Sequence, residues 1–81
     1  MDVRDRVRTF IKDAFLVDEF KDDESFLASG IIDSLGVMQL VAFVESEFSV
    51  RVADVELVPQ NFDSVERISA FVERKLAARA A

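Results

Sequence analysis

Apolar residues near the start of the chain recur at the spacing of one face of an amphipathic helix. This face comprises Val3, Val7, Phe10, Ile11, Ala14 and Phe15. Their spacing matches the period of a helix rather than the alternation of a strand. Asp2 precedes the pattern and can accept a hydrogen bond from the first helical turn. The pattern therefore predicts a first helix with Asp2 as its N-cap.

A second helix is predicted from Ser34 to Phe48, with Asp33 as its N-cap. One face of this helix is continuously apolar and should belong to the core: Val37, Leu40, Val41, Val44 and Phe48. A shorter apolar strip points to the opposite side, beside Gln39 and Ser46, and consists of Leu35, Met38 and Ala42. The strip is either buried by other helices or exposed for a partner. We favour exposure, because few helical segments remain to cover it.

The connection between these two helices, residues 17–32, is long for so small a protein. Phe26 and Leu27 are expected to anchor it to the core, while Asp22, Asp23 and Glu24 remain in water. This acidic cluster lacks the alternating oxygen ligands and the central glycine of a calcium loop. We therefore predict no calcium site there.

The last third of the chain predicts one long helix after a short irregular segment. Pro59 interrupts any single turn that residues 54–58 form. The helix begins at Asp63, which we expect to be its N-cap, with Glu66 placed for a capping box. Its apolar face comprises Val65, Ile68, Phe71, Val72 and Leu76. The periodicity as a whole predicts an all-α fold, and without repeats or linkers residues 1–81 are expected to form a single domain.

Composition limits the chemistry that the chain can perform by itself. Its 81 residues contain no histidine and no cysteine, which argues against a disulfide framework and a zinc site. Ser34 also lacks the usual general base of a nucleophilic serine, so we do not predict an enzyme. Ser34 is then either a helix cap or a site to which another enzyme attaches a group.

The net charge of −6 is unevenly distributed along the chain. The acidic excess lies between residues 17 and 63, around Ser34, and both ends are mildly basic. The negative electrostatic field of this region disfavours binding of nucleic acid and favours partners that present lysine and arginine. The alternative is an acidic surface that only keeps the protein soluble. The charged first residues and the lack of a long apolar run predict neither a secretory signal nor a membrane span. We expect a cytoplasmic protein.

Two segments of the chain place a serine between an acid and an apolar residue at a predicted helix start. They are Asp33-Ser34-Leu35 and Asp63-Ser64-Val65, and both serines could serve as caps. Their wider settings differ. Leu27 and Gly30-Ile31-Ile32 precede the first triplet, and the helix that follows it ends in Glu45-Ser46-Glu47-Phe48.

That setting resembles the acyl and peptidyl carrier proteins, from the first predicted helix to the last. The resemblance rests on the motif Gly-x-x-Asp-Ser-Leu, which ends at Leu35, and on Leu40, Val44, Glu47 and Phe48 after it. It implies a small four-helix bundle with three long helices, one short helix and a long first loop.

The resemblance also implies a covalent cofactor. Ser34, flanked by Asp33 and Leu35, would receive 4′-phosphopantetheine from coenzyme A through a separate, magnesium-dependent phosphopantetheinyl transferase. The thiol of the arm would then carry an acyl or aminoacyl group as a thioester. A phosphodiester at Ser34 would lie at a helix N-terminus, which favours an anion. We expect Gly36 to leave room beside the modified side chain.

The partners implied are the transferase, an adenylating ligase or acyltransferase that loads the arm, and downstream biosynthetic enzymes. The residues expected to dock them are Leu35, Met38, Gln39, Ala42 and Glu45. We expect the chain to act as a monomer that binds neither nucleic acid nor membrane.

Among carriers, we rank a discrete carrier of a specialised bacterial pathway first, because residues 43–48 and 59–64 look similar to that group. A D-alanyl or aminoacyl carrier ranks second, through Val37-Met38-Gln39-Leu40. A carrier of fatty acid synthesis ranks third, because Gln39 and Ser46 are neutral where such carriers have acids.

The alternative from another class is an unmodified helical adaptor. It explains the amphipathic helices but not an apolar strip that begins beside a helix-terminal serine.

Overall fold

Three long helices account for most of the molecule, in a computed structural model that describes residues 2–80. They are α1 (Val3–Phe15), α3 (Ser34–Phe48) and α5 (Val65–Ala80), with two short helices, α2 (Phe26–Ser29) and α4 (Pro59–Phe62), and a 3-10 turn at Asp54–Glu56. The predicted all-α fold with three long helices is confirmed. A second short helix accompanies the expected one, because Pro59 begins a turn of helix as well as ending the segment before it.

The first two long helices begin where the sequence predicts. Asp2 accepts a hydrogen bond from the Asp5 N–H at 2.9 Å, and Asp33 accepts one from the Gly36 N–H at 2.8 Å. Each carboxylate satisfies a backbone donor that the helix itself cannot pair, which fixes the first turn. Both predicted N-caps are therefore confirmed.

The N-cap of the third long helix lies one residue later than predicted, and the helix itself begins at Val65. Ser64, not Asp63, is the N-cap, and its hydroxyl accepts a hydrogen bond from the Arg67 N–H at 3.1 Å. Asp63 turns toward α2 instead, where its carboxylate accepts hydrogen bonds from the Leu27 N–H at 3.0 Å and from the Ser25 hydroxyl. Two donors from a distant segment thus draw Asp63 away from its own helix.

The core lies where α5 packs against α1, α3 and α4. Its buried apolar residues are Val7, Ile11, Phe20, Phe26, Ile32, Leu40, Val41, Val44, Phe48, Val50, Phe62, Val65, Ile68, Phe71 and Val72. The three predicted apolar faces are confirmed, with Val37 and Leu76 partly buried at the edges of those on α3 and α5. Ala14 is the exception on α1 and is exposed.

The long connection after α1 is anchored by one of the two residues expected to anchor it. Phe26 is buried, but Leu27 is 53% exposed. The expectation for Leu27 is wrong because both residues belong to α2, and a helix points adjacent side chains in different directions. Leu27 therefore faces solvent beside a residue that faces the core.

An ion-pair cluster ties the same connection to α1. The Asp22 carboxylate lies 2.6 Å from an Arg8 guanidinium nitrogen and 3.1 Å from one of Arg4. The Arg8 guanidinium also stacks over the Phe20 ring, 4.4 Å from its centroid. Asp22 is therefore held against the protein rather than left in water, while Asp23 remains exposed.

Candidate functional site

Ser34 is the first residue of α3 and its side chain is exposed. Asp33 occupies the cap position before it, so the Ser34 hydroxyl is not needed to pair the helix start. The geometry of a helix start leaves the N–H groups of Ser34 and Leu35 without an acceptor inside the helix. These donors and the positive end of the helix dipole favour a negatively charged group at this position.

Ser64, the other serine of the pair, has a different environment. It is 2% exposed and its hydroxyl caps α5. A group attached to Ser64 would have to displace core packing and remove the cap. The two serines have similar neighbours in the sequence, but they differ in burial and in hydrogen bonding in the structure.

An apolar groove with a volume of about 280 Å³ lies beside Ser34. Three parts of the chain line it, namely α2, the start of α3, and the segment that ends in α4. Its lining residues are Phe26, Leu27, Ile32, Ser34, Val37, Leu57, Val58, Pro59, Phe62 and Asp63. Sequence reasoning missed this groove, because its walls come from segments far apart in the chain.

The outer wall of the groove is held by ionic and polar contacts. The Lys75 ammonium lies 2.7 Å from the Glu56 carboxylate, and this contact, with a hydrogen bond from the Ala53 N–H, lowers the pKa of Glu56. Asn61 donates a hydrogen bond to the Glu56 carbonyl oxygen at 2.9 Å. These contacts fix the segment from the 3-10 turn to α4 against α5.

The site fits the phosphopantetheine arm that the carrier resemblance implies. An exposed hydroxyl is available for a phosphodiester at Ser34, and the start of α3 supplies N–H donors for its negative charge. The groove beside Ser34, with its volume of about 280 Å³, can accommodate part of a slender chain.

The apolar strip on α3 is exposed, as predicted. Leu35 is 78% and Met38 is 57% exposed, and Ala42 also faces solvent. Gln39 and Ala42 border a shallow depression between α1 and α3, which Phe10 and Phe43 line as well. The role of this face in docking stays a prediction.

Glu45, also expected to dock partners, has an exposed side chain with an internal hydrogen bond. Its carboxylate accepts a hydrogen bond from the Val52 N–H at 2.9 Å. This contact ties the segment after α3 back onto the helix.

Gly36 serves close packing rather than leaving room beside the modified side chain. It is buried, and a Cβ atom placed on it would lie 2.8 Å from Ile32 Cγ2 and 2.8 Å from Phe15 Cε1. The expectation for Gly36 is wrong, because the residue faces the end of α1. Without a side chain there, Phe15 can pack directly against the backbone of α3.

Gly36→Ala is expected to lower the free energy of unfolding by about 1–2 kcal/mol, because Phe15 or Ile32 must move to admit the methyl group. Alanine's higher helix propensity, about 1 kcal/mol, offsets part of the strain. Urea unfolding measures the difference, with Gln39→Ala on the exposed face as the control. A more stable Gly36→Ala protein would show that Phe15 moves aside without cost.

Comparisons with known proteins find similarity to carrier proteins. The phosphopantetheine attachment site family matches residues 5–72 of the chain. D-alanyl carrier proteins of two Streptococcus suis strains, 98HAH33 and 05ZYH33, are 29% identical over 69 residues and 30% identical over 70 residues. Each alignment covers 84% of this chain and 87% of the relative.

The fold is also that of a solved carrier. The solution NMR structure of a holo acyl carrier protein from Geobacter metallireducens superposes with a TM-score of 0.76 at 24% identity, over 99% of this chain and 92% of that one. Within residues 2–80, no helix has the length and apolar character needed to cross a membrane. The family match over most of the chain and the shared fold show that this protein belongs to the acyl and peptidyl carrier protein family, as a carrier with covalently attached 4′-phosphopantetheine.

Proposed function

We propose that Ser34 is the residue that receives 4′-phosphopantetheine, with Asp33 and Leu35 as its immediate neighbours in the recognised motif. The observation that carries this proposal is the contrast between an exposed Ser34 at the start of α3 and a buried Ser64 that caps α5. Asp33 supports it by capping α3, which leaves the Ser34 hydroxyl available to another enzyme.

The chemistry at Ser34 requires a partner. The Ser34 oxygen forms a new bond to the β-phosphorus of coenzyme A, and the P–O bond from that phosphorus to the bridging oxygen breaks. Adenosine 3′,5′-bisphosphate leaves, and the hydroxyl proton passes to a base of the transferase. Within this chain, the start of α3 stabilises the resulting phosphodiester through backbone N–H groups and the helix dipole. The bound arm supplies a thiol that holds the acyl or aminoacyl group as a thioester. The chain itself carries the group and does not catalyse its transfer.

We assign partner docking to the exposed face of α3, through Leu35, Met38, Gln39, Ala42 and Glu45. This face begins one residue after Ser34 and is largely uncharged. An enzyme that reaches Ser34 must cover part of it, because a specific interface usually buries about 800 Å² on each partner.

The loading enzyme we propose is an adenylating ligase rather than a malonyl transferase. Two observations favour it: the similarity to D-alanyl carrier proteins and the neutral Gln39 and Ser46 on the outer face of α3. Both a carrier of a specialised pathway and an aminoacyl carrier fit this assignment. We further propose that residues 1–81 act as one domain and as a cytoplasmic monomer, without affinity for nucleic acid or membrane.

Intact-mass spectrometry after incubation with coenzyme A and a broad-specificity transferase tests the attachment. The mass should increase by that of one arm, whereas an unmodified adaptor would keep its mass.

The holo-protein should then be loaded at least about tenfold faster by a D-alanine-adenylating ligase than by a malonyl transferase of fatty acid synthesis, since a mismatched docking face weakens productive encounter.

The double variant Gln39→Glu with Ser46→Glu serves as the matched test of subclass. It restores two acids where a basic malonyl transferase would meet them, so malonyl loading should rise, and the gain should shrink as salt screens the charges. Efficient malonyl loading of the unaltered protein, unimproved by the two acids, would favour a carrier of fatty acid synthesis.

A further inference from the structure

Asp63, just before α5, pairs three hydrogen-bond donors at the start of α2. Its carboxylate accepts hydrogen bonds from the Leu27 N–H at 3.0 Å and from the Ser25 hydroxyl. Its backbone carbonyl accepts a third from the Phe26 N–H at 2.8 Å. Ser25 pairs the two remaining N–H groups of this four-residue helix. Because a helix cannot pair its own first donors, α2 depends on these three hydrogen bonds, which we call the Asp63 clamp.

The chain that the Asp63 clamp holds leads directly to Ser34. A helix of four residues is far too short to be stable by itself, and only residues 30–33 separate α2 from α3. Within this connection, Ile32 is 2% exposed, and its N–H donates a long hydrogen bond of 3.5 Å to the Phe26 carbonyl. The connection ends in Asp33, the cap of α3. The position of α2 therefore determines where the first turn of α3 begins.

We propose that Asp63 is a positioning residue for attachment of the arm to Ser34. This inference rests on the proposal that Ser34 is the attachment site, and Asp63 acts on Ser34 through α2. While the clamp is closed, the connection and the Asp33 cap keep the Ser34 hydroxyl on an intact helical turn. Without the clamp, α2 frays and the first turn of α3 opens locally. Buried residues further along α3 keep the rest of that helix in place.

Asp63→Ala, which removes both side-chain hydrogen bonds of the clamp, tests this role with a broad-specificity transferase, coenzyme A and the full chain. The transferase selects the molecules in which the first turn of α3 is intact, so its apparent affinity falls with their fraction. We expect kcat/KM for modification to fall at least about fivefold. The loss should come from a higher KM for the apo-protein, while kcat stays within about twofold.

Two variants serve as matched controls. Asp63→Asn keeps an oxygen that accepts from the Leu27 N–H and gains an NH₂ group that donates to the Ser25 hydroxyl, so it should restore kcat/KM to within about twofold. Ser64→Ala removes the cap of α5 one residue further along and leaves the clamp in place. Its stability should fall, but its kcat/KM should also stay within about twofold of the unaltered protein.

Amide hydrogen exchange measures the same effect without the transferase. The Gly36 N–H donates to Asp33, and neither of these residues is altered in Asp63→Ala. Protection of this amide should nevertheless fall at least about fivefold in Asp63→Ala and stay within about twofold in both controls. Should Asp63→Ala fail to fold, Ser25→Ala opens the clamp from the side of α2 and should raise KM in the same way.

Modification of folded Asp63→Ala at the unaltered kcat/KM would overturn the proposal. An equal loss in Ser64→Ala would also overturn it, because general destabilisation would then be the cause. A loss in Asp63→Asn as large as in Asp63→Ala would show that the charge of Asp63 matters and not its hydrogen bonds. Failure of the proposed attachment site has a different signature. In that case Ser34→Ala would still gain the mass of the arm, whatever the behaviour of the Asp63 variants.

Discussion

Ser34→Ala is expected to abolish attachment of 4′-phosphopantetheine completely. The hydroxyl oxygen is the atom that forms the bond to phosphorus, and alanine has no replacement for it. The fold should persist, because Asp33 caps α3 and the Ser34 side chain is exposed. Intact-mass spectrometry after transferase treatment should therefore find a folded protein of unchanged mass.

Ser64→Ala is the matched control for that experiment. The variant should still accept one arm, but its free energy of unfolding should fall by about 1 kcal/mol, because the cap of α5 is lost. The two serines thus predict opposite pairs of outcomes, with modification lost at one position and stability lowered at the other. Attachment of an arm to the Ser34→Ala protein at any other residue would refute the assignment.

Features of the helices that depend on neighbouring residues could be predicted from the sequence. Asp33 caps a helix that runs from Ser34 to Phe48, as expected, because both the cap and the apolar period are determined within a few residues. The exposure of Leu35 and Met38 was also predicted, because few helical segments remained to cover them. Local chemistry was therefore sufficient for the helix that carries the candidate site.

Contacts between distant segments were not predictable in the same way. Asp63 has the composition of a cap, but donors on α2 claim its carboxylate and leave the cap to Ser64. Gly36 was assigned to the cofactor, but Phe15 approaches it from the end of α1. In both cases the contacting residue belongs to a segment that is distant in the sequence. The spacing of apolar residues along the chain gives no information about such contacts.

The net charge is another feature whose meaning depends on contacts between distant segments. An acidic middle segment predicts partners rich in lysine and arginine, and that inference treats every carboxylate as equally available. Asp22 is paired with arginines of α1, and Asp33 and Glu45 accept hydrogen bonds from backbone N–H groups. The long-range field remains, but the surface next to Ser34 offers a partner mainly apolar contacts.

The largest effect on stability is expected for Val44→Asp. Val44 is 0% exposed and lies on the core face of α3. An unpaired carboxylate at this position would cost several kcal/mol, about as much as the whole folding free energy of many small domains. Circular dichroism should find the variant largely unfolded at neutral pH, and partial refolding in acid, as the carboxylate is protonated, would identify the buried charge as the cause.

Met38→Asp places the same charge on the same helix, but on its outer face. Because Met38 is 57% exposed, the free energy of unfolding of the variant should stay within about 0.5 kcal/mol of that of the unaltered protein. Attachment of the arm to Ser34 and loading of the arm's thiol should nevertheless slow. The two variants differ only in the direction in which α3 points the substituted side chain. If Met38→Asp unfolded as completely as Val44→Asp, the outer strip would belong to the core, and docking through α3 would have no surface to act on.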